Sequence, residues 1–250
     1  MQLFADDGSV MIDHRNSLQG EMYMKQNTNK IVVSKLFLVL STVYITCLVL
    51  SNLIAGKICS FFGQALPAAV ILFPITYILA DVFTEVYGYQ KMRLVIWLGF
   101  ASTFFAVLIY LITIALPYPD FFGNQEAYRA VLGTTPRVAV ASFVGYLFGE
   151  FSNSILMSKL KVMTNGKKLW LRTIGSTVVG ELFDSFLFIS ISFFGTMDTS
   201  QLLKMILLQY GFKVAYEVVF TPATYAITHW LKKKENTDIY DTDVSYSLFS

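Results

Sequence analysis

The chain has 250 residues, 55% of them hydrophobic and 14% charged, with a mean hydropathy of +0.56. Soluble domains carry about a quarter charged residues, so this composition excludes an ordinary soluble protein and indicates one embedded in a membrane. A formal net charge of +2 excludes nucleic-acid binding driven by bulk electrostatics.

Residues 1–30 are polar and mixed, without a sustained period, and read as an irregular cytoplasmic tail. They lack the early apolar core and small-residue cleavage site of a secretory signal. Six apolar runs follow: Leu36–Gly56, Ala65–Tyr87, Leu94–Leu116, Arg137–Met157, Trp170–Phe194 and Leu202–Leu231. Each reaches the roughly 20 residues a helix needs to cross a bilayer. The loops set the orientation. Lys25, Lys30, Lys35, Lys91, Arg93, Lys159, Lys161, Lys167, Lys168, Arg172 and Lys232–Lys234 fall on one side, against Lys57, Arg129, Arg137 and Lys204 on the other. That bias places both termini in the cytoplasm. The expected architecture is an all-α membrane protein with six transmembrane helices in residues 31–232 and a second polar tail at 233–250. The segment 117–136 is the only sizeable outer loop, with aromatics suited to the interface. Cys47 and Cys59 lack metal-ligand spacing and read as ordinary apolar cysteines.

Internal likeness is thin but suggestive. Ser51-Asn52 and Ser152-Asn153 each precede a lysine by a few residues, and Asp81/Glu85 in span two correspond to Glu181/Asp184 in span five, about 100 positions on. A three-plus-three duplication would relate halves of opposite orientation.

Polar residues inside the runs carry the functional argument. An ionised carboxylate at bilayer depth costs roughly 2.5 kcal/mol or more, so each needs a reason to be there. Asp81 and Glu85 share one face of span two, with Pro74 expected to break the hydrogen-bond ladder at mid-membrane. Glu150 and Asn153 share a face of span four beside the close-packing pair Gly145 and Gly149. Glu181 and Asp184, three apart in span five, point the same way and flank Gly180. Gln209, Lys213 and Glu217 form a stripe on span six. Lys213 calls for a carboxylate from another span, with Asp184 or Asp81 preferred over its helical neighbour Glu217. Asn52 is an isolated polar residue in span one, and Arg137 stands where span four enters from outside, either snorkelling or functional. Acids outnumber the single clear intramembrane base, so a shared pocket would favour a solute rich in hydrogen-bond donors or carrying positive charge. Protonation of one acid could couple its movement to a proton gradient. Aromatics near these faces, among them Tyr77, Phe183, Phe186, Tyr210, Phe212 and Tyr216, suffice to stack a flat ring.

The stretches SNLIAGK (51–57), FPITYILADVFTEVYG (73–88), RVAVASFVGYLFGEFSNS (137–154), LWLRTIGSTVVGELFDS (169–185) and YGFKVAYEVVFTP (210–222) resemble the queuosine precursor transporter family, a vitamin-uptake-like family of inner-membrane proteins. The resemblance covers about residues 35–231. It implies a multi-pass protein of a bacterial cytoplasmic membrane that takes up 7-deazaguanines for tRNA modification: queuine, 7-cyano-7-deazaguanine or 7-aminomethyl-7-deazaguanine. The family's polar marks fall on Asn52, Asp81, Arg137, Asp184 and Lys213, while Glu150 and Glu181 stand where some relatives carry an amide. The expected substrate-binding set is therefore Asn52, Asp81, Glu150, Asn153, Glu181, Asp184, Lys213 and Glu217, with Asp81, Glu85 and Arg137 for gating or proton coupling.

Two other readings compete. The chain could be the substrate-capturing subunit of an energy-coupling-factor importer, which also has six helices but needs a partner. It could be an intramembrane enzyme using Glu181 and Asp184, yet it has no HExxH, nucleophile elbow or metal cluster, and neither catalysis nor a metal or cofactor is expected. The small-residue stripes permit a homodimer without requiring one.

Overall fold

The computed structural model describes residues 34–55, 57–61, 64–133, 136–196 and 198–249; the expected amino-terminal tail lies outside them. Leu36–Ser250 form one compact unit. Its elements in chain order are α1 (Lys35–Ile54), the strands β1 (Ile58–Phe61) and β2 (Gln64–Pro67), a 3-10 turn (Ala68–Ile71), α2 (Phe73–Val82), a π-helical turn (Phe83–Tyr87), α3 (Tyr89–Ala115), α4 (Gln125–Leu132), α5 (Pro136–Met163), α6 (Leu169–Phe193) and α7 (Thr199–Glu235). Among the described residues, four stretches are long and apolar enough to cross a membrane: α1, α3, α6 and a run from Gln125 to Met163 that holds α4 and α5.

The second apolar run departs from expectation. Its outer part is no helix: β1 and β2 pair antiparallel, with Ile58 opposite Pro67, and a 3-10 turn leads into α2. Two prolines explain the break. Pro67 ends its strand, and Pro74 stands in the first turn of α2, where a missing N–H costs nothing, rather than inside an unbroken helix. The ten-residue α2 then widens into the π turn, which ends at Gly88 with φ of 81°. Phe37 and Tyr44 of α1 pack edge-on against Phe83 and Tyr87 of that turn, with centroids 4.9–6.0 Å apart.

The sixth run is longer than expected, since α7 is helical for 37 residues. Asp198 caps its start by accepting from Ser200 N at 2.9 Å. Pro222 lies inside it, and Thr221 Oγ1 turns back to Glu217 O at 2.8 Å in the same stretch.

Packing centres on α5, α6 and α7, with α2 laid against α7 and α3 against α5. Glycines allow the closest crossing. A Cβ on Gly145 would stand 2.8 Å from Asp184 Oδ1, one on Gly149 would stand 2.9 Å from Asp184 Cβ, and one on Gly180 would stand 2.8 Å from Asn153 Cβ. Helices α5 and α6 thus meet backbone to backbone, bringing Asp184 and Asn153 inside the bundle.

The chain after α7 is not a loose polar appendage. Asn236 takes a left-handed conformation, and residues 238–249 fold back across the ends of α3, α5 and the π turn. Ile239 N donates to Val86 O at 3.2 Å, Trp97 Nε1 to Leu248 O at 2.9 Å, and Phe249 packs on Trp97 at 5.3 Å.

Candidate functional site

Two polar groups lie inside the bundle, one in its middle and one toward the lysine-rich end. In the middle group, Lys213 of α7 reaches α6, where its Nζ is 2.6 Å from Glu181 Oε2 and is also bonded to Asp184. Only 9% of Lys213 is exposed. A lone ammonium at that depth would be costly; two carboxylates stabilise it and leave the trio with one net negative charge. The Tyr77 hydroxyl of α2 is hydrogen-bonded to Glu181, so three helices share the cluster.

Beside it, Asn153 Nδ2 donates to Asp81 Oδ1 at 3.2 Å. Asp81 and Glu217, each 1% exposed, face one another across α2 and α7. Lys213 pairs with Asp184, as expected, but its second partner is Glu181 and not Asp81, because α2 presents Asp81 lower along α7, at the height of Glu217. Glu150 lies beside the Tyr44 hydroxyl. Asp81 Oδ2, both Glu217 oxygens and Asn153 Oδ1 are buried without a hydrogen-bond donor among the described residues. Buried polar atoms are normally satisfied, so a concentration of acceptors in one place marks a site that suits a donor-rich ligand or protons.

Other expected members stand apart. Asn52 is exposed, donates to its own helix at Leu48 O (2.9 Å) and accepts from Ser142 Oγ at 3.4 Å; it ties α1 to α5 and does not reach Lys213. Arg137 is exposed, with Nε donating to Ile191 O at 2.5 Å and its Nη2 to Phe194 O at 2.6 Å. A guanidinium there satisfies the free carbonyls at the α6 C-terminus and complements its dipole, a structural task for a residue expected to gate or move protons. Phe183 and Phe186 are exposed, while Tyr216 stacks on Phe220 along α7 and meets Phe212 at a tilt. A shallow recess of about 310 Å³ between α3 and α4, lined by Thr113, Leu116, Pro119, Phe122, Gln125 and Tyr128, carries no charged group and lies in a different part of the chain from the polar clusters.

The second group is built on Glu85 in the π turn. This carboxylate, expected to serve in gating or proton coupling, is fully buried. Arg172 of α6 grips it with two bonds (2.7 and 2.8 Å) and Lys232 of α7 adds a third at 2.6 Å. Lys161 of α5 is 3.8 Å from Glu85 Oε1 and donates to Glu85 O at 2.5 Å. Arg172 also donates to Lys167 O and Gly166 O, holding the turn between α5 and α6. From the refolded tail, Asp238 bridges Lys161 (2.5 Å) and Lys232 (2.9 Å). Burial alone would raise the Asp238 carboxyl, but the hydrogen bonds from Lys161 and Lys232 hold it below its usual value. In the sequence, Lys161, Arg172 and Lys232 read only as charges expected to face the cytoplasm. No local spacing links them to Glu85, which is 76 to 147 residues away in the chain.

Comparison with known proteins agrees with the membrane reading. The model of the "Putative vitamin uptake transporter" family matches residues 67–227. A protein of Bacillus subtilis named "Probable queuosine precursor transporter" is 28% identical over 191 residues, covering 76% of this chain and 83% of its own. An Escherichia coli protein named "Queuosine precursor transporter" is 24% identical over 196 residues, covering 75% and 84%. A Haemophilus influenzae protein named like the first is 24% identical over 169 residues, covering 66% and 69%. No solved structure matches.

Proposed function

The chain belongs to the putative vitamin uptake transporter family, multi-pass membrane proteins and not enzymes, and on that premise we propose that it imports queuosine precursors. We read the substrates as 7-deazaguanines, crossing a bacterial cytoplasmic membrane through six spans with both termini inside. The observation that carries this reading is the cluster of Lys213, Glu181 and Asp184 beside Asp81, Asn153 and Glu217, brought together by four helices and largely buried between them.

The chemistry fits a flat purine-like base. A deazaguanine offers donors at N1 and its exocyclic amine and an acceptor at O6. A carboxylate accepts both donors of that edge, the role we assign to Asp184 or Glu181, while Lys213 or Asn153 serves O6. Tyr77, hydrogen-bonded to Glu181, supplies a ring at the same site. Asp81 and Glu217, facing each other with Asn153 as neighbouring donor, are suited to hold a proton that travels with the substrate. Both carboxylates could not stay charged at that depth without a cation beside them.

The test uses cells that cannot make the precursor. Queuosine reappears in their tRNA when this chain is expressed and queuine, 7-cyano- or 7-aminomethyl-7-deazaguanine is supplied, and Asp184→Asn abolishes the rescue at equal membrane abundance. A rescue as strong with Asp184→Asn, or none with the unaltered chain, would overturn the reading. Uptake by proteoliposomes holding this chain alone separates a self-sufficient carrier from the capture subunit of an energy-coupling-factor importer, and loss of accumulation on adding a protonophore reports proton coupling.

A further inference from the structure

The refolded C-terminal segment and the Glu85 cluster lie outside the group proposed to hold the substrate, yet they contain densely bonded charges. On the charge bias of the loops, they lie at the inner end. From Arg172 to Glu181 along α6 is nine residues, about 13 Å at 1.5 Å per residue, so the cluster lies below the Lys213 group on the cytoplasmic side.

We propose that residues 238–249 form a strap that latches the inner gate of transport, and that Asp238 and Asp241 act as positioning residues for that gate. This rests on the reading of the chain as a carrier. The strap's polar contacts fall on several elements at once. Asp238 bridges Lys161 of α5 and Lys232 of α7. Asp241 Oδ2 accepts from Ser158 Oγ of α5 at 2.5 Å and from Tyr89 N at the start of α3 at 2.9 Å. Ile239 N is bonded to the π turn at Val86 O, and Arg93 of α3 donates to Ser247 O at 2.8 Å. Two of these elements, α5 and α7, carry residues of the middle cluster, and the π turn continues the helix that carries Asp81.

A carrier releases its load by parting helices at one end. With the strap in place, parting α5 from α7 or from the π turn would pull Asp238 off one of its lysines and strip Glu85 of at least one cation. Charge balance makes the strap part of the lock. Glu85 alone faces Arg172, Lys161 and Lys232, three cations against one anion, and Asp238 brings the second anion. Removing one partner of a buried charged group is costly, so the assembly opens as a unit or stays shut. Two glycines are shaped around the strap: a Cβ on Gly88 would stand 2.8 Å from Asp241 Oδ1, and one on Gly166 would stand 2.0 Å from the Tyr240 hydroxyl. The strap's path is therefore built into the α2–α3 and α5–α6 turns.

The experiment uses the full chain with Cys47→Ala and Cys59→Ala, adding Val86→Cys and Ile239→Cys, whose backbones are hydrogen-bonded at 3.2 Å. Oxidation should join strap to π turn and lower uptake of labelled 7-aminomethyl-7-deazaguanine at least about tenfold, with recovery on reduction. Equal uptake by oxidised and reduced protein, or failure of the two thiols to join, would overturn the latch. A second measurement needs no substrate. In inside-out vesicles, Val86→Cys should react with a membrane-impermeant maleimide at least about tenfold faster when the chain ends at Asn236 than when it is full length, and equal rates would likewise overturn the proposal. If neither reduced nor oxidised chain moves the labelled base, the substrate reading fails, and the maleimide rates still decide whether the strap covers the inner entrance.

Discussion

Lys213 is the residue on which the middle cluster depends, since it is the only cation within reach of both Glu181 and Asp184 among the described residues. Lys213→Gln leaves two carboxylates facing each other without a counter-charge. Breaking a buried pair in this way costs about 3–5 kcal/mol. The expected outcome is a lower Tm in detergent and uptake reduced at least about tenfold per molecule; Glu181→Gln added to Lys213→Gln should recover part of the Tm, because one unpaired charge is removed. An unchanged Tm would mean that the trio is not a dry ion pair. Arg137 provides the contrast. Its guanidinium ends on the α6 carbonyls and touches no member of the cluster. Arg137→Gln should cost about 0.3–1 kcal/mol of stability and leave uptake per folded molecule unchanged. Loss of uptake at normal stability would return Arg137 to the gating role its position in the sequence first suggested.

At the scale of elements, the small-residue face between α5 and α6 sets where the acids sit. The spacing of Gly145, Gly149 and Gly180 was legible in the sequence as a packing stripe; that the stripe embraces Asp184 and Asn153 was not. Gly149→Ala places a methyl 2.9 Å from Asp184 Cβ and 3.2 Å from Gly180 O, neither of which can yield without moving backbone. Overpacking of that kind costs about 1–3 kcal/mol. Because the strain falls on Asp184, uptake should fall more than protein abundance does, measured as initial rate against amount of folded protein. Equal falls would mean that the stripe only packs helices. The second apolar run shows the opposite lesson. Its composition satisfied a spanning helix, but Pro67 and Pro74 together with a partner strand gave the outer part a hairpin and a 3-10 turn instead, since prolines fit a strand end and a first helical turn better than an unbroken ladder.

For the molecule as a whole, the strap joins the two ends of the sequence's logic: a polar tail that composition marks as solvated becomes a structural part through Asp238, Asp241 and a few aromatic contacts. Its pH response follows from Asp238. The folded carboxyl is held below its ordinary value, so its contribution is fully present above the usual aspartate range, near pH 4, and is lost as pH falls through the lowered value. The strap should stay docked from about pH 5 upward through neutrality and loosen only in stronger acid, read as protease cleavage between residues 236 and 249. Asp238→Asn should show the same cleavage at neutral pH, at least severalfold faster than the unaltered chain. Cleavage that already rises between pH 5 and pH 7 would point to a different titrating group.

The amino-acid sequence alone establishes the solvent, the helical class, the bias of basic residues among the loops, and the short roster of acids and one lysine inside the apolar runs. Those depend on composition and local period, which a chain carries wherever it folds. Folding in three dimensions sets the rest: Lys213 sits with Glu181 as well as Asp184, Asp81 turns to Asn153 and Glu217, and Glu85 is locked by Arg172, Lys161 and Lys232 beneath a returning tail. Such pairings join side chains tens to well over a hundred residues apart, and their choice depends on helix rotation and close approach, for which spacing along one chain holds no record.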